Sequence, residues 1–129
     1  MANLRSIKTT GFGQQHNMGV MVIRQPFPAA EIEQVDPFIL LHHAGPKETK
    51  PGSPKNRISP HPHRGFEPVT FLFSGGAHHR DSDGNEGLLN AGDVQWMTAG
   101  KGIVHSEGPS EDFVKEGGVL ELIQLWVNL

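Results

Sequence analysis

Apolar runs along the chain are short, and glycine, proline or polar clusters interrupt them about every eight to twelve residues, a spacing that predicts strands and turns rather than helices. "GVMVIRQPF", Gly19 to Phe27, is apolar and β-branched and reads as a strand ended by Pro26 and Pro28. Phe38 to Leu41 in "VDPFILLHHAGP" forms a second. Residues 46–60, including "KETKPGSPKNRISP", are polar, proline-broken and without period, so they predict a long loop near a site. "HPHRGFEPVTFLFSGG" then reads as one strand ending at Gly75 and Gly76. In "AHHRDSDGNEGLLN" a hairpin is expected, turning at Asp83 and Gly84, and a further turn from Asn90 to Asp93 leads into Val94 to Met97. "GKGIVHSEGP" is another short strand, "SEDFVKEGG" a helical turn or loop, and "VLELIQLWVNL" a final strand with Leu122, Leu125 and Val127 as core residues. The pattern predicts an all-β closed sandwich or barrel, residues 1–129 forming a single domain.

Composition agrees and narrows the chemistry. Sixteen glycines and ten prolines punctuate the chain too heavily for long helices. A net charge of -3 with scattered Lys and Arg offers no basic field, which argues against direct nucleic-acid binding. With no cysteine, disulfides and thiolate metal sites are excluded, and any metal must take nitrogen and oxygen ligands. No window approaches a membrane span and "MANLRSIKTTGFGQQ" lacks the apolar core of a signal peptide, so no membrane association and a cytoplasmic location are expected, or a nuclear one in a eukaryote.

Eight histidines are many for this length. In a strand, residues i and i+2 share a face, so His61 and His63 project together, as do His105 and Glu107. Two such pairs facing one another would surround a point with three imidazoles and a carboxylate, a donor set for iron, manganese, nickel, copper or zinc. A lone His-x-His is more often an exposed polar face, and it is the second pair that turns the balance toward a site. Glu67 shares the parity of His61 and His63, so spacing alone leaves it a rival to Glu107. His78 and His79 are adjacent and can send only one ring inward, as can His42 and His43, while His16 reads as solvated. Gly100 and Gly102 precede no helix pattern and make no phosphate loop, and no serine sits in a nucleophile elbow.

"HPHRGFEPVTFLFSGG", "DSDGNEGLLNAGDVQWMTAGKGIVHSE" and "IQLWVNL" together resemble the N-terminal cupin domain of the pirin family, over nearly the whole chain. The resemblance implies a cupin-type jelly-roll β-barrel (a double-stranded β-helix) holding one divalent transition metal, iron first and manganese, nickel, copper or zinc as alternatives. It implies His61, His63, His105 and Glu107 as ligands, with Glu67 as a supporting acid behind them. It also implies either of two activities. One is a quercetin 2,3-dioxygenase, opening a flavonol-like substrate with O2, with Glu107 as proton acceptor; strand parity would line that pocket with Val69, Phe71 and Phe73, unless a bulge at Pro68 turns them over. The other is a metal-binding, redox-sensitive regulatory protein that meets a transcription factor as protein partner without turnover. Pirins usually carry a second barrel, and a chain ending at Leu129 would leave that face uncovered, so a homodimer is expected.

Overall fold

The computed structural model describes residues 6–19 and 21–129, so Val20 of the first expected strand and the N-terminal 1–5 lie outside the described residues. The strands are β1 (Gln14–Asn17), β2 (Val22–Phe27), β3 (Phe38–Thr49), β4 (Ile58–His63), β5 (Glu67–Ser74), β6 (Gly76–Asp81), β7 (Glu86–Asn90), β8 (Val94–Trp96), β9 (Ile103–Pro109) and β10 (Gly118–Val127), with one short helix, α1 (Glu111–Glu116), before the last. They form two antiparallel sheets, a six-stranded one ordered β1-β2-β3-β10-β5-β8 and a four-stranded one ordered β4-β9-β6-β7. This is the expected all-β, cupin-type arrangement. Its two sheets are not hydrogen-bonded into a closed barrel among the described residues.

From β3 to β6 the chain changes sheet at every connection, and this alternation decides which side chains meet. "HPHRGFEPVTFLF" is therefore two strands, not one: β4 ends at His63 in the smaller sheet and β5 starts at Glu67 in the larger, across a turn where Gly65 has φ 77. The expected loop at 46–60 is shorter than its composition suggests. Residues 46–49 extend β3 and 58–60 open β4, because Lys47 to Thr49 pair with Gly118 to Leu120 across the sheet. Gly45, at φ 92, sits where that pairing shifts register, and a Cβ there would lie 2.2 Å from the Leu120 carbonyl oxygen.

The hairpin turn after β6 forms as expected, with Gly84 at φ 86 and the Asp81 carboxylate accepting from the backbone N–H groups of Asp83 and Asn85 at 3.0 and 2.9 Å. In α1, Ser110 caps the first turn by accepting from Phe113 N at 3.3 Å, and Phe113 is buried. Leu72 and Val69 are the most deeply buried side chains, each 1% exposed. Of the expected core positions in β10, Val127 is buried, whereas Leu122 and Leu125 are half-buried.

Candidate metal centre

β4 and β9 are neighbours in the smaller sheet, with His61 directly opposite His105. That register, added to the i,i+2 spacing in β4, brings three rings together: centroids lie 4.3 Å apart for His61 and His105, 4.8 Å for His63 and His105, and 5.0 Å for His61 and His63. One ring nitrogen from each of the three falls within 4.8 Å of the others. His63 and His105 are buried, at 5% and 2% exposed, and His61 is half-buried.

The donor set fits a transition ion. His61 Nδ1 is 2.9 Å from the Ser59 carbonyl oxygen, so it must donate there, leaving Nε2 as a free lone pair. His63 Nε2 and His105 Nε2 face each other at 2.9 Å. Burial first, then repulsion from His61, lowers the His63 pKa to about 4. Burial, then repulsion from His61, His63 and His79, lowers that of His105 to about 3. Both rings are thus neutral near pH 7, as ligation requires. His63 Nδ1 is buried with no partner, which leaves that ring the least constrained of the three.

Glu107 lies outside this tight cluster but lines the same cavity. Burial raises its carboxyl pKa above the usual range, with His61 and His79 opposing. Gln124 of β10 donates Nε2 to Glu107 Oε1 at 3.3 Å and to Thr70 Oγ1 at the same distance, and Trp126 Nε1 donates to Gln124 Oε1 at 3.0 Å. The cavity, about 670 Å³, runs between the sheets. Its walls include Ile23, Ala44, Leu89, Leu120, Leu122 and Trp126, with Arg57 to Pro60 at one side.

Two expectations from strand parity fail here. Val69, Phe71 and Phe73 do not line the cavity; Thr70 does, and Phe73 is 54% exposed on the outer face. Parity counted from His61 cannot pass the turn at Arg64 to Phe66, because β5 belongs to the other sheet. For the same reason Glu67 is not beside the histidines: its carboxylate accepts from Trp96 Nε1 and from Thr98 Oγ1 (3.1 Å).

Among the remaining histidines, His42 lines the cavity with Nε2 2.9 Å from Gln25 Oε1, while His43 pairs with Glu121. His78 meets Arg57 and Glu86, and His79 lies against His105. Sequence reasoning missed Gln124 and Trp126 as parts of the site, and left open which of His78 and His79 turns inward. A polar Gln124 within the apolar "LIQLWV", and the "HRDSDGN" hairpin with His79 two residues before Asp81, were the available signals.

Comparison with known proteins gives a consistent picture. The family model described as Pirin matches residues 19–127. A Pseudomonas aeruginosa protein provisionally named quercetin 2,3-dioxygenase is 50% identical over 97 residues, 75% of this chain and 34% of that protein. The crystal structure of quercetin 2,3-dioxygenase from Acinetobacter baumannii superposes with a TM-score of 0.85 at 39% identity, covering 95% of this chain and 43% of that one. A bacterial pirin from Escherichia coli in complex with nickel(II) matches with a TM-score of 0.67 at 26% identity, over 90% of this chain and 48% of that one. The chain thus spans about a third of the length of the curated relative and less than half of either structure.

Proposed function

The chain belongs to the pirin family, and on that premise we propose that His61, His63, His105 and Glu107 hold a transition metal and that the loaded site is a dioxygenase of the quercetin 2,3-dioxygenase type. The observation that carries this reading is the convergence of three imidazoles, two of which, His61 and His63, line an apolar-walled cavity of about 670 Å³ together with the Glu107 carboxylate. When bound, the ion supplies Lewis acidity that makes a flavonol's 3-hydroxyl easier to ionise. The family's iron is one candidate, and the nickel of the Escherichia coli pirin another.

The chain's own groups do the rest. Glu107, its pKa raised by burial, accepts the hydroxyl proton and keeps it close. Gln124 fixes the carboxylate by donating to Oε1, and is itself fixed by Trp126. Ile23, Leu89, Leu120 and Leu122 exclude water from a planar aromatic substrate whose deprotonated form reacts with O2, the ring opening and carbon monoxide leaving.

One observation favours a second reading, a metal-binding regulatory protein without turnover. Phe73, Val94 and Trp96 stand 54%, 52% and 59% exposed on neighbouring strands β5 and β8, an apolar patch suited to a protein partner or a second copy of the chain. One experiment separates the two: metal-loaded protein is mixed with quercetin with and without O2, following absorbance and carbon monoxide. Loss of flavonol with carbon monoxide release only in O2 supports the enzyme. Full metal loading with no consumption supports the regulator. His63→Ala and His105→Ala should lose both metal and activity while remaining folded.

A further inference from the structure

His105 has a different partner at each ring nitrogen. Nε2 meets His63 within the triad at 2.9 Å, while Nδ1 lies 3.2 Å from Nδ1 of His79. His79 Nε2 lies in turn 3.2 Å from Oδ2 of Asp81. The register of β6 on β9 builds this row, with Asp81 opposite His105 and His79 opposite Glu107. Little of it is exposed: His105 is 2% exposed, His79 4%, and the Asp81 side chain 4%.

The donors in this row can be assigned from one end. The Asp81 carboxylate accepts from Asp83 N, Asn85 N and Asn85 Nδ2, company that suits an ionised, acceptor-only group. His79 Nε2 therefore carries a hydrogen and donates to Oδ2. With His79 Nε2 serving the carboxylate, its Nδ1 takes the acceptor role toward His105, so His105 Nδ1 carries the hydrogen between them. A neutral His105 is then bare at Nε2, the atom turned toward His61 and His63.

We infer that Asp81 and His79 are positioning residues that hold His105 in the tautomer able to bind metal through Nε2, the carboxylate acting across an intervening imidazole. A ligating histidine commonly donates its second N–H straight to a carboxylate or carbonyl, as His61 does to Ser59. Here the support extends one ring further, and the same carboxylate fastens the β6–β7 turn through Oδ1. The inference rests on His105 being a metal ligand, as proposed above.

Asp81→Asn should reverse the row. The turn amides keep the amide oxygen, the Asn NH2 faces His79, His79 must accept at Nε2 and donate at Nδ1, and the His105 hydrogen moves to Nε2. His79→Phe leaves the carboxylate and its turn in place but removes the acceptor for His105 Nδ1, and it carries the test if Asp81→Asn does not fold. Two quantities are read: the protonated nitrogen of His105 in metal-free protein, by long-range proton–nitrogen NMR at mildly alkaline pH, and zinc affinity, by competition with a chelator.

The expected result is Nδ1–H in the parent, Nε2–H in Asp81→Asn and a mixture in His79→Phe. Zinc affinity should fall roughly 10- to 100-fold in both variants and stay unchanged in Glu121→Gln, whose carboxylate serves His43 instead. Nε2–H in the parent, or an unchanged tautomer and zinc affinity in the variants, overturns the inference. Undiminished zinc binding by His105→Ala overturns the metal reading beneath it. Zinc loss in His105→Ala with no change in the other two variants overturns the relay alone.

Discussion

Replacing His63 and His105 together by glutamine should make the metal-free protein less sensitive to acid, by an amount that follows from their burial. In the fold the two pKa values are lowered from 6.5 to about 4 and about 3, first by burial and then by repulsion among neighbouring rings. The unfolded chain takes up these protons below pH 6.5 and the folded chain does not. Unfolding therefore binds protons, and stability falls as pH drops from 6.5 toward about 4. Each ring contributes up to about 1.4 kcal/mol per pH unit, so the pair contributes about 2 kcal/mol per unit once partial solvent screening is allowed for. His42, lowered to about 4 by burial and by His16, adds a similar slope in both proteins. Glu107 acts oppositely: its pKa is raised, so folding takes up a proton above the usual carboxylate range and offsets part of the slope in both. The assay is urea unfolding with chelator present, followed by tryptophan fluorescence at successive pH values. If the double variant loses stability with acid as steeply as the parent, these rings are not held neutral by the fold and the argument is refuted.

Further outcomes are expected elsewhere. Glu107→Gln should reduce turnover far more than metal content, since it removes the proton acceptor while three imidazoles remain; steady-state rates and elemental analysis check this. Glu67→Gln should leave both nearly unchanged, because its carboxylate serves Trp96 and Thr98 instead. Leu72→Ala should cost about 3 kcal/mol of stability in denaturant unfolding, as a 1%-exposed side chain leaves a cavity the surrounding strands cannot fill.

What could be read from the sequence was what is local to one strand. The i,i+2 spacing of His61 and His63 survives because both lie on β4, and the strand carrying His105 was recognisable from its glycine and proline boundaries. The expected alternation of Val69, Phe71 and Phe73 into the cavity was not legible, since three residues of turn carry the chain into the other sheet and inner and outer faces are set anew there. The approach of His79 and Asp81 to His105 depends on the pairing of β6 with β9, residues more than twenty positions apart, which no periodicity encodes. The extension of β3 to Thr49 has the same origin: a polar, proline-containing segment becomes strand because β10 supplies its hydrogen bonds.

β10 is the last strand in sequence, yet β3 and β5 bond to its two edges, so β1-β2-β3 and β5-β8 are joined within their sheet only through it. During synthesis, at about 5–20 residues per second, the strands bearing His61, His63 and His105 emerge before it. Gln124 and Trp126, which brace Glu107 from the facing sheet, come after. The strands that carry the three imidazoles are therefore complete in sequence before the one strand that both joins the two halves of the larger sheet and braces Glu107.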